Sequence, residues 1–105
     1  MKFGLTSEQF LLIQKTLLSI DEIEKVLIFG SRAKDICRPS SDIDLAVYGE
    51  NITRNSINKL SALLDDLPLP FTFDIVDFNS ISNIELKNKI ISQGKLFFER
   101  ELKSI

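Results

Sequence analysis

Apolar positions along this 105-residue chain change their spacing several times, and each change marks a predicted element. Near the N-terminus they recur at helical spacing, which predicts an amphipathic helix. The apolar residues of this stretch are Phe10, Leu11, Ile13, Leu17 and Leu18. Thr6 and Gln9 stand three residues apart, as in a capping box that opens a helix. The polar and charged residues among them argue against a signal peptide or a membrane span.

Three shorter apolar runs are rich in β-branched and aromatic residues and predict strands. They are Lys25–Phe29, residues 42–47 and residues 71–78. Residues 95–105 begin with another apolar group. This tail is either a short fourth strand or, through Leu102 and Ile105, part of a surface that another chain covers.

Two further helices are predicted between and after these strands. One begins at Asn51 or Thr53 and continues to about residue 66, before a proline that ends it. The other opens at Ser82, with Glu85 completing a capping box, and stops at Gly94. Its expected core residues are Ile84, Ile90 and Ile91.

The order of these elements predicts an α/β (α+β) fold, as one domain over residues 1–105. We expect a small mixed sheet of about three main strands. Helices should cover one face of this sheet, which leaves the other face for polar chemistry.

One segment carries the candidate chemistry: residues 30–44 read GSRAKDICRPSSDID. Gly30 can adopt backbone angles that other residues avoid, and Ser31 offers a hydroxyl and an amide to anionic oxygens at an expected helix start. Asp42 and Asp44 are two residues apart on a predicted strand, so they share a face on which their oxygens suit Mg²⁺. A Gly-Ser pair alone is usually a turn, and Asp-x-Asp alone a solvated strand face. Their combination in one connected unit favours a functional site.

Composition narrows the classes of function. The chain contains no histidine, which excludes Ser-His-Asp catalysis and histidine-based zinc sites within it. Its net charge is −2 and its basic residues are not clustered, so no direct contact with nucleic acid is expected. The single cysteine, Cys37, cannot form an intrachain disulfide, which fits a reducing cytoplasm.

Gly30-Ser31, the ten-residue spacer and Asp42-x-Asp44 resemble the signature of the minimal nucleotidyltransferase (MNT) family of the DNA polymerase β-like superfamily. The small size resembles the antitoxin type, which is paired with a HEPN-domain toxin. This resemblance implies a nucleotidyltransferase palm that transfers AMP from ATP to a hydroxyl of the toxin, expected to be a tyrosine. Two alternatives stay open: transfer to an antibiotic or metabolite with a partner subunit, or a binding antitoxin without catalysis. Assembly into a homo-oligomer is also left open.

The resemblance implies roles for individual residues. Asp42 and Asp44 would be catalytic residues and ligands of two Mg²⁺ ions, with a third carboxylate on the next strand. Asp74, at the centre of that strand, is the expected third carboxylate. Asp77 is the competitor, but it would face the opposite side and is better placed to cap a turn.

The resemblance also implies that the Gly-Ser turn binds the phosphates of ATP. Gly30, Ser31 and Arg32 are therefore the expected nucleotide-binding residues. Arg32 has a second interpretation, as a surface residue that pairs with Asp35. Lys34 and Asp35 depart from the family pattern, in which a basic residue and a glycine often follow.

Overall fold

The computed structural model describes residues 3–34 and 42–100. The helices in this part of the chain are α1 (Ser7–Leu18), α2 (Arg54–Asp65) and α3 (Ile84–Gln93), and the strands are β1 (Lys25–Phe29), β2 (Ile43–Tyr48), β3 (Phe73–Asp77) and β4 (Lys95–Glu99). A single 3₁₀ turn, Phe78–Ser80, follows β3. The predicted α/β fold and the order of its elements are confirmed.

The four strands form one mixed sheet in the order β3-β2-β1-β4. Strand β1 pairs antiparallel with β2 and β4, whereas β2 and β3 are parallel. Parallel neighbours need a crossover, and α2 supplies it. Of the two interpretations of the tail, a fourth strand is confirmed for Lys95–Glu99. Leu102 and Ile105 lie outside the described residues.

The helix starts follow side-chain capping. The Thr6–Gln9 box is present as predicted, and Thr53, the second of the two predicted residues, caps α2. The predicted start of α3 at Ser82 is wrong by one residue. Asn83 is the cap, and its Oδ1 accepts a hydrogen bond of 3.2 Å from the amide of Leu86. Asparagine caps as well as serine does, so the sequence offered two equivalent starts.

Helices α1 and α2 pack on one face of the sheet. The residues buried there come from both helices and from β1 and β2: Ile13, Leu17, Leu60, Leu64, Val26, Ile28, Ile43, Leu45 and Val47. The other face was predicted to carry no helix, and this prediction is wrong. Ile90 of α3 is fully buried there against Phe29 and Ala46.

Four residues that had been assigned to apolar helix faces are exposed. Ile84 and Ile91 of α3 are 71% and 64% accessible, because Ile90 is the residue that this short helix turns toward the sheet. Leu11 and Leu18 of α1 are likewise more than half accessible. The core-facing stripe of α1 is therefore narrower than its apolar residues suggested. None of the helices in the described residues is long and apolar enough to cross a bilayer.

Candidate active site

Two aspartates lie side by side at the start of the parallel strand pair. Asp44 on β2 is the register partner of Asp74 on β3. Side chains of register partners on neighbouring strands project from the same face, and the strands themselves are about 4.8 Å apart. Asp42 is exposed and lies just before β2, which begins at Ile43 and not at residue 42 as predicted. The fold therefore brings the three predicted carboxylates to one end of the sheet.

The charges of these aspartates act on one another. The pKa of the half-buried Asp44 is raised above its ordinary value of 3.8, first by loss of solvent and then by the negative charges of Asp74 and Asp42. The positive charge of Lys89 on α3 acts in the opposite direction and lowers this pKa. Carboxylates that repel one another in this way favour a bound cation, which would remove the repulsion.

Gly30 is in direct contact with this cluster. Its φ of +77° lies in the left-handed region that side chains rarely adopt. A β-carbon at this position would overlap Oδ2 of Asp44, because Asp44 is the register partner of Phe29, the residue before Gly30. The turn that was predicted to hold phosphate therefore lies against the carboxylate that was predicted to hold metal.

The Gly-Ser turn is short in the described part of the chain. The carbonyl oxygen of Ser31 accepts a hydrogen bond of 3.2 Å from the amide of Lys34, which closes one turn. Residues 31–34 form this turn and not the predicted helix start. Asp35 and Cys37 lie outside the described residues.

The structure separates Asp77 from the carboxylate cluster. Asp77 is the register partner of Val47, three residues along the strands from the Asp44–Asp74 pair. Its Oδ1 accepts from the amide of Asn79 at 3.2 Å and its Oδ2 from the hydroxyl of Ser80 at 2.9 Å. Both oxygens are used in capping the 3₁₀ turn, as predicted for this residue.

Arg32 is placed differently from its predicted surface position. Its side chain is fully buried, so the interpretation as a surface residue is wrong. Its Nη1 donates a hydrogen bond of 2.9 Å to the carbonyl oxygen of Phe3, and its guanidinium lies 4.7 Å from the centre of the Phe71 ring. These contacts join the Gly-Ser turn to the N-terminal segment and to the segment that leads into β3. Phosphate binding by Arg32 stays a prediction.

The carboxylates fit a metal ion that takes some of its ligands from a bound substrate. Within residues 3–34 and 42–100, no three acidic, cysteine or histidine side chains converge closely enough to hold a metal ion by themselves. Mg²⁺ is usually bound by one or two carboxylates together with phosphate oxygens and water. The register pair Asp44 and Asp74 therefore suits a Mg²⁺ ion whose remaining ligands come from a nucleotide and water.

Lys89 is the residue near this site that the sequence analysis missed. It precedes the buried Ile90 on α3 and is itself exposed. The sequence predicted all helices on the opposite face of the sheet, so it placed no α3 side chain near the carboxylates. The sequence did predict that Ile90 is a core residue. Because Ile90 packs against Phe29, its neighbour Lys89 lies at the same end of the sheet as the carboxylates.

Comparisons with known proteins identify the family of the chain. The sequence model described as "Polymerase beta, Nucleotidyltransferase" matches residues 12–103. The chain belongs to this nucleotidyltransferase family. No curated protein matches the chain. Gly30, Ser31, Asp42 and Asp44 lie within the matched region.

Solved structures similar to this family member include toxin–antitoxin complexes. One, determined with AMP-PNP, is 24% identical with a TM-score of 0.65, and the match covers 88% of this chain and 74% of that one. A MntA–HepT toxin–antitoxin structure is 24% identical with a TM-score of 0.60, covering 90% and 74%. The tri-AMPylated HEPN toxin of Shewanella oneidensis with its MNT antitoxin gives 21% identity and a TM-score of 0.54, covering 87% and 73%. At these identities the similarity shows a shared fold.

Proposed function

We propose that this chain transfers AMP from ATP to a tyrosine hydroxyl of a HEPN-domain toxin and so acts as its antitoxin. The observation that carries the proposal is the pairing of Asp44 with Asp74 beside Gly30. Membership of the nucleotidyltransferase family supports the reaction type. The fold shared with an MNT antitoxin whose HEPN toxin is tri-AMPylated supports the acceptor.

In this proposal the carboxylates divide the work. Asp42, Asp44 and Asp74 hold Mg²⁺, and Gly30 and Ser31 bind phosphate oxygens. When bound, Mg²⁺ supplies positive charge that neutralises the triphosphate and makes the acceptor hydroxyl more acidic. The acceptor oxygen forms a bond to the α-phosphorus as the bond to pyrophosphate breaks, and the hydroxyl proton passes to Asp74.

A partner protein is needed because transfer depends on positioning. Holding an acceptor in line with the α-phosphate can lower the barrier by about 7–11 kcal/mol. We propose that the toxin supplies this positioning by binding to the chain, in the cytoplasm, where ATP is available. The chain alone should therefore turn over ATP slowly.

Incubation with the HEPN-domain protein encoded nearby tests the proposal. The reaction contains ATP labelled at the α-phosphate and Mg²⁺, and intact-mass measurement is made on both proteins. We expect the partner to gain the mass of AMP, with peptide mapping placing it on a tyrosine. The Asp42→Asn, Asp44→Asn double variant should fold and bind the partner but transfer nothing.

Three other outcomes would contradict the proposal. Equal neutralisation of the partner by the double variant, with no change in mass, would make the chain a binding antitoxin. AMP found on a small molecule and not on the partner would make it a small-molecule nucleotidyltransferase. Label on this chain itself would indicate self-modification, for which Tyr48 at the end of β2 is poorly placed.

A further inference from the structure

Helix α3 crosses the same face of the sheet that carries Asp44 and Asp74. Ile90 is its buried residue and packs against Phe29 and Ala46. Phe29 is the register partner of Asp44 on the adjacent strand. The C-terminal half of α3 therefore lies next to the start of β2, where Asp44 is located.

Lys89 occupies the α3 position immediately before this contact. Its side chain is exposed. Of the described basic residues, Lys89 is the one whose charge acts on Asp44. Because Ile90 packs against Phe29, the register partner of Asp44, the preceding residue on the helix lies at the carboxylate end of the sheet, and the effect of its charge on Asp44 agrees with this position.

Lys87 gives a contrast on the same helix. Its Nζ lies 5.5 Å from the centre of the Phe78 ring, in the turn that follows the far end of β3. Residues two apart on a helix project about 200° apart around its axis. The side chains of the two lysines therefore project from opposite sides of α3, and the one beside the Phe78 ring is Lys87.

An exposed lysine whose charge acts on Asp44 also suits an anionic ligand. A nucleoside triphosphate adds several negative charges to a site that already contains mutually repelling carboxylates. Binding of its phosphates therefore requires positive charge nearby. An ammonium is a compact point charge that binds phosphate oxygens through charge-assisted hydrogen bonds. Its flexible four-carbon stem allows it to move from Asp44 to a phosphate when the nucleotide enters.

We propose that Lys89 binds the triphosphate of the nucleotide from the α3 side of the site. This inference rests on the proposed function, because it assumes that a nucleoside triphosphate is the ligand. Lys89 then complements the Gly30-Ser31 turn, which binds through its backbone. The alternative is that Lys89 serves only as a counter-charge to Asp44.

Nucleotide binding in the absence of turnover distinguishes these roles. Calorimetric titration with AMP-PNP and with AMP, both with Mg²⁺, compares wild type with Lys89→Ala, Lys89→Arg and Lys87→Ala. We expect Lys89→Ala to weaken AMP-PNP binding about tenfold or more, as loss of a hydrogen bond to a charged group does. AMP affinity should change much less, because AMP lacks the β- and γ-phosphates.

The two other variants are controls. Lys89→Arg keeps the charge and should retain most of the affinity, whereas Lys87→Ala removes an equal charge from the opposite side of α3 and should leave binding unchanged. Urea unfolding of each variant shows whether it is folded under the conditions of the binding measurement. Because Lys89 is exposed and alanine favours helix, the fold should persist.

The failures of the two proposals are distinguishable. If wild type neither binds AMP-PNP nor transfers AMP to its partner, the proposed function is wrong. If wild type does both and Lys89→Ala binds AMP-PNP as tightly as wild type, the role of Lys89 is overturned while the function stands. Equal weakening by Lys87→Ala and Lys89→Ala would also overturn it, because the effect would then come from net charge.

Discussion

The carboxylate of Asp44 occupies the space that a side chain at Gly30 would need. The backbone of the turn at Gly30 therefore packs directly against the side chain of Asp44. Two requirements meet at Gly30: a φ of +77°, and the absence of a β-carbon next to Oδ2 of Asp44. Either one would favour glycine, but only the second couples the turn to the proposed metal ligand.

Substitution of Gly30 by alanine should therefore destabilise the protein and displace Asp44. The left-handed backbone alone costs about 1–2 kcal/mol for a residue with a side chain. Urea unfolding should show a larger loss, because the overlap with the Asp44 carboxylate adds to it. In an Asp44→Ala background the overlap is removed, so Gly30→Ala should cost less there. Equal costs in the two backgrounds would show that the residues are not coupled.

The raised pKa of Asp44 predicts how stability depends on pH. A raised pKa means that the folded state binds the proton more tightly than the unfolded state does. Asp44 therefore lowers the stability of the metal-free protein at neutral pH, and this penalty disappears as the pH falls through the raised pKa toward 3.8. Asp44→Asn should remove the penalty.

Urea unfolding in the presence of a chelator measures this effect across the acid range. Asp44→Asn should be at least as stable as wild type near neutral pH, and its advantage should vanish near pH ~4, where the unfolded-state carboxylate is itself about half protonated. A variant that is less stable than wild type at neutral pH would contradict the prediction. It would show that Asp44 makes a stabilising contact that outweighs the repulsion.

The different positions of Asp74 and Asp77 predict opposite phenotypes. Asp74→Asn removes a carboxylate from the pair with Asp44 and should abolish AMP transfer with little effect on stability. Asp77→Asn keeps one of the two oxygens that cap the 3₁₀ turn, so it should cost only a fraction of the ~0.5–2 kcal/mol that loss of a cap costs, and it should leave transfer largely intact. Transfer assays and thermal unfolding on both variants check this. Loss of transfer in Asp77→Asn alone would reverse the assignment.

Part of the arrangement of the candidate site follows from local patterns. Strand periodicity of two predicts that Asp42 and Asp44 share a face and that Asp74 and Asp77 do not, whereas the pairing of Asp44 with Asp74 depends on the register of two strands. What the sequence did not predict depends on packing between distant elements. The charge of Lys89 acts on Asp44 because α3 lies on the carboxylate face, and an amphipathic pattern does not say which face of a sheet a helix covers.

The burial of Arg32 was missed for a similar reason. Arginine is almost never fully buried without partners, so the sequence favoured a surface or ligand-binding position. Two of its partners are the carbonyl of Phe3 and the ring of Phe71, which are 29 and 39 positions away in the sequence. No local pattern reports contacts of that range.

Removal of the Arg32 side chain should mainly affect stability. Arg32→Ala leaves the carbonyl of Phe3 without this donor and removes the contact with Phe71, for an expected loss of about 2–4 kcal/mol. Arg100→Ala is a matched control, since Arg100 donates hydrogen bonds of 3.0–3.1 Å to the carbonyls of Leu18, Ile20 and Ile23, which follow or end α1. We expect both variants to unfold at lower urea concentration, and folded Arg100→Ala to bind AMP-PNP with unchanged affinity. Weaker nucleotide binding by Arg32→Ala alone would instead support the predicted contact with phosphate.

The carboxylate repulsion also predicts that Mg²⁺ stabilises the folded protein before any reaction takes place. A ligand that binds only the folded state adds about 2.7 kcal/mol at a concentration one hundred times its dissociation constant. Thermal unfolding should therefore show a higher Tm for wild type with Mg²⁺ than with a chelator, and a higher Tm again with Mg²⁺ and AMP-PNP, because phosphate oxygens complete the metal's ligands. The increase should be lost in Asp44→Asn and kept in Asp77→Asn, whose carboxylate lies away from the cluster. Sodium chloride at matched ionic strength controls for screening. An equal increase in wild type and Asp44→Asn would mean that the metal binds elsewhere on the protein.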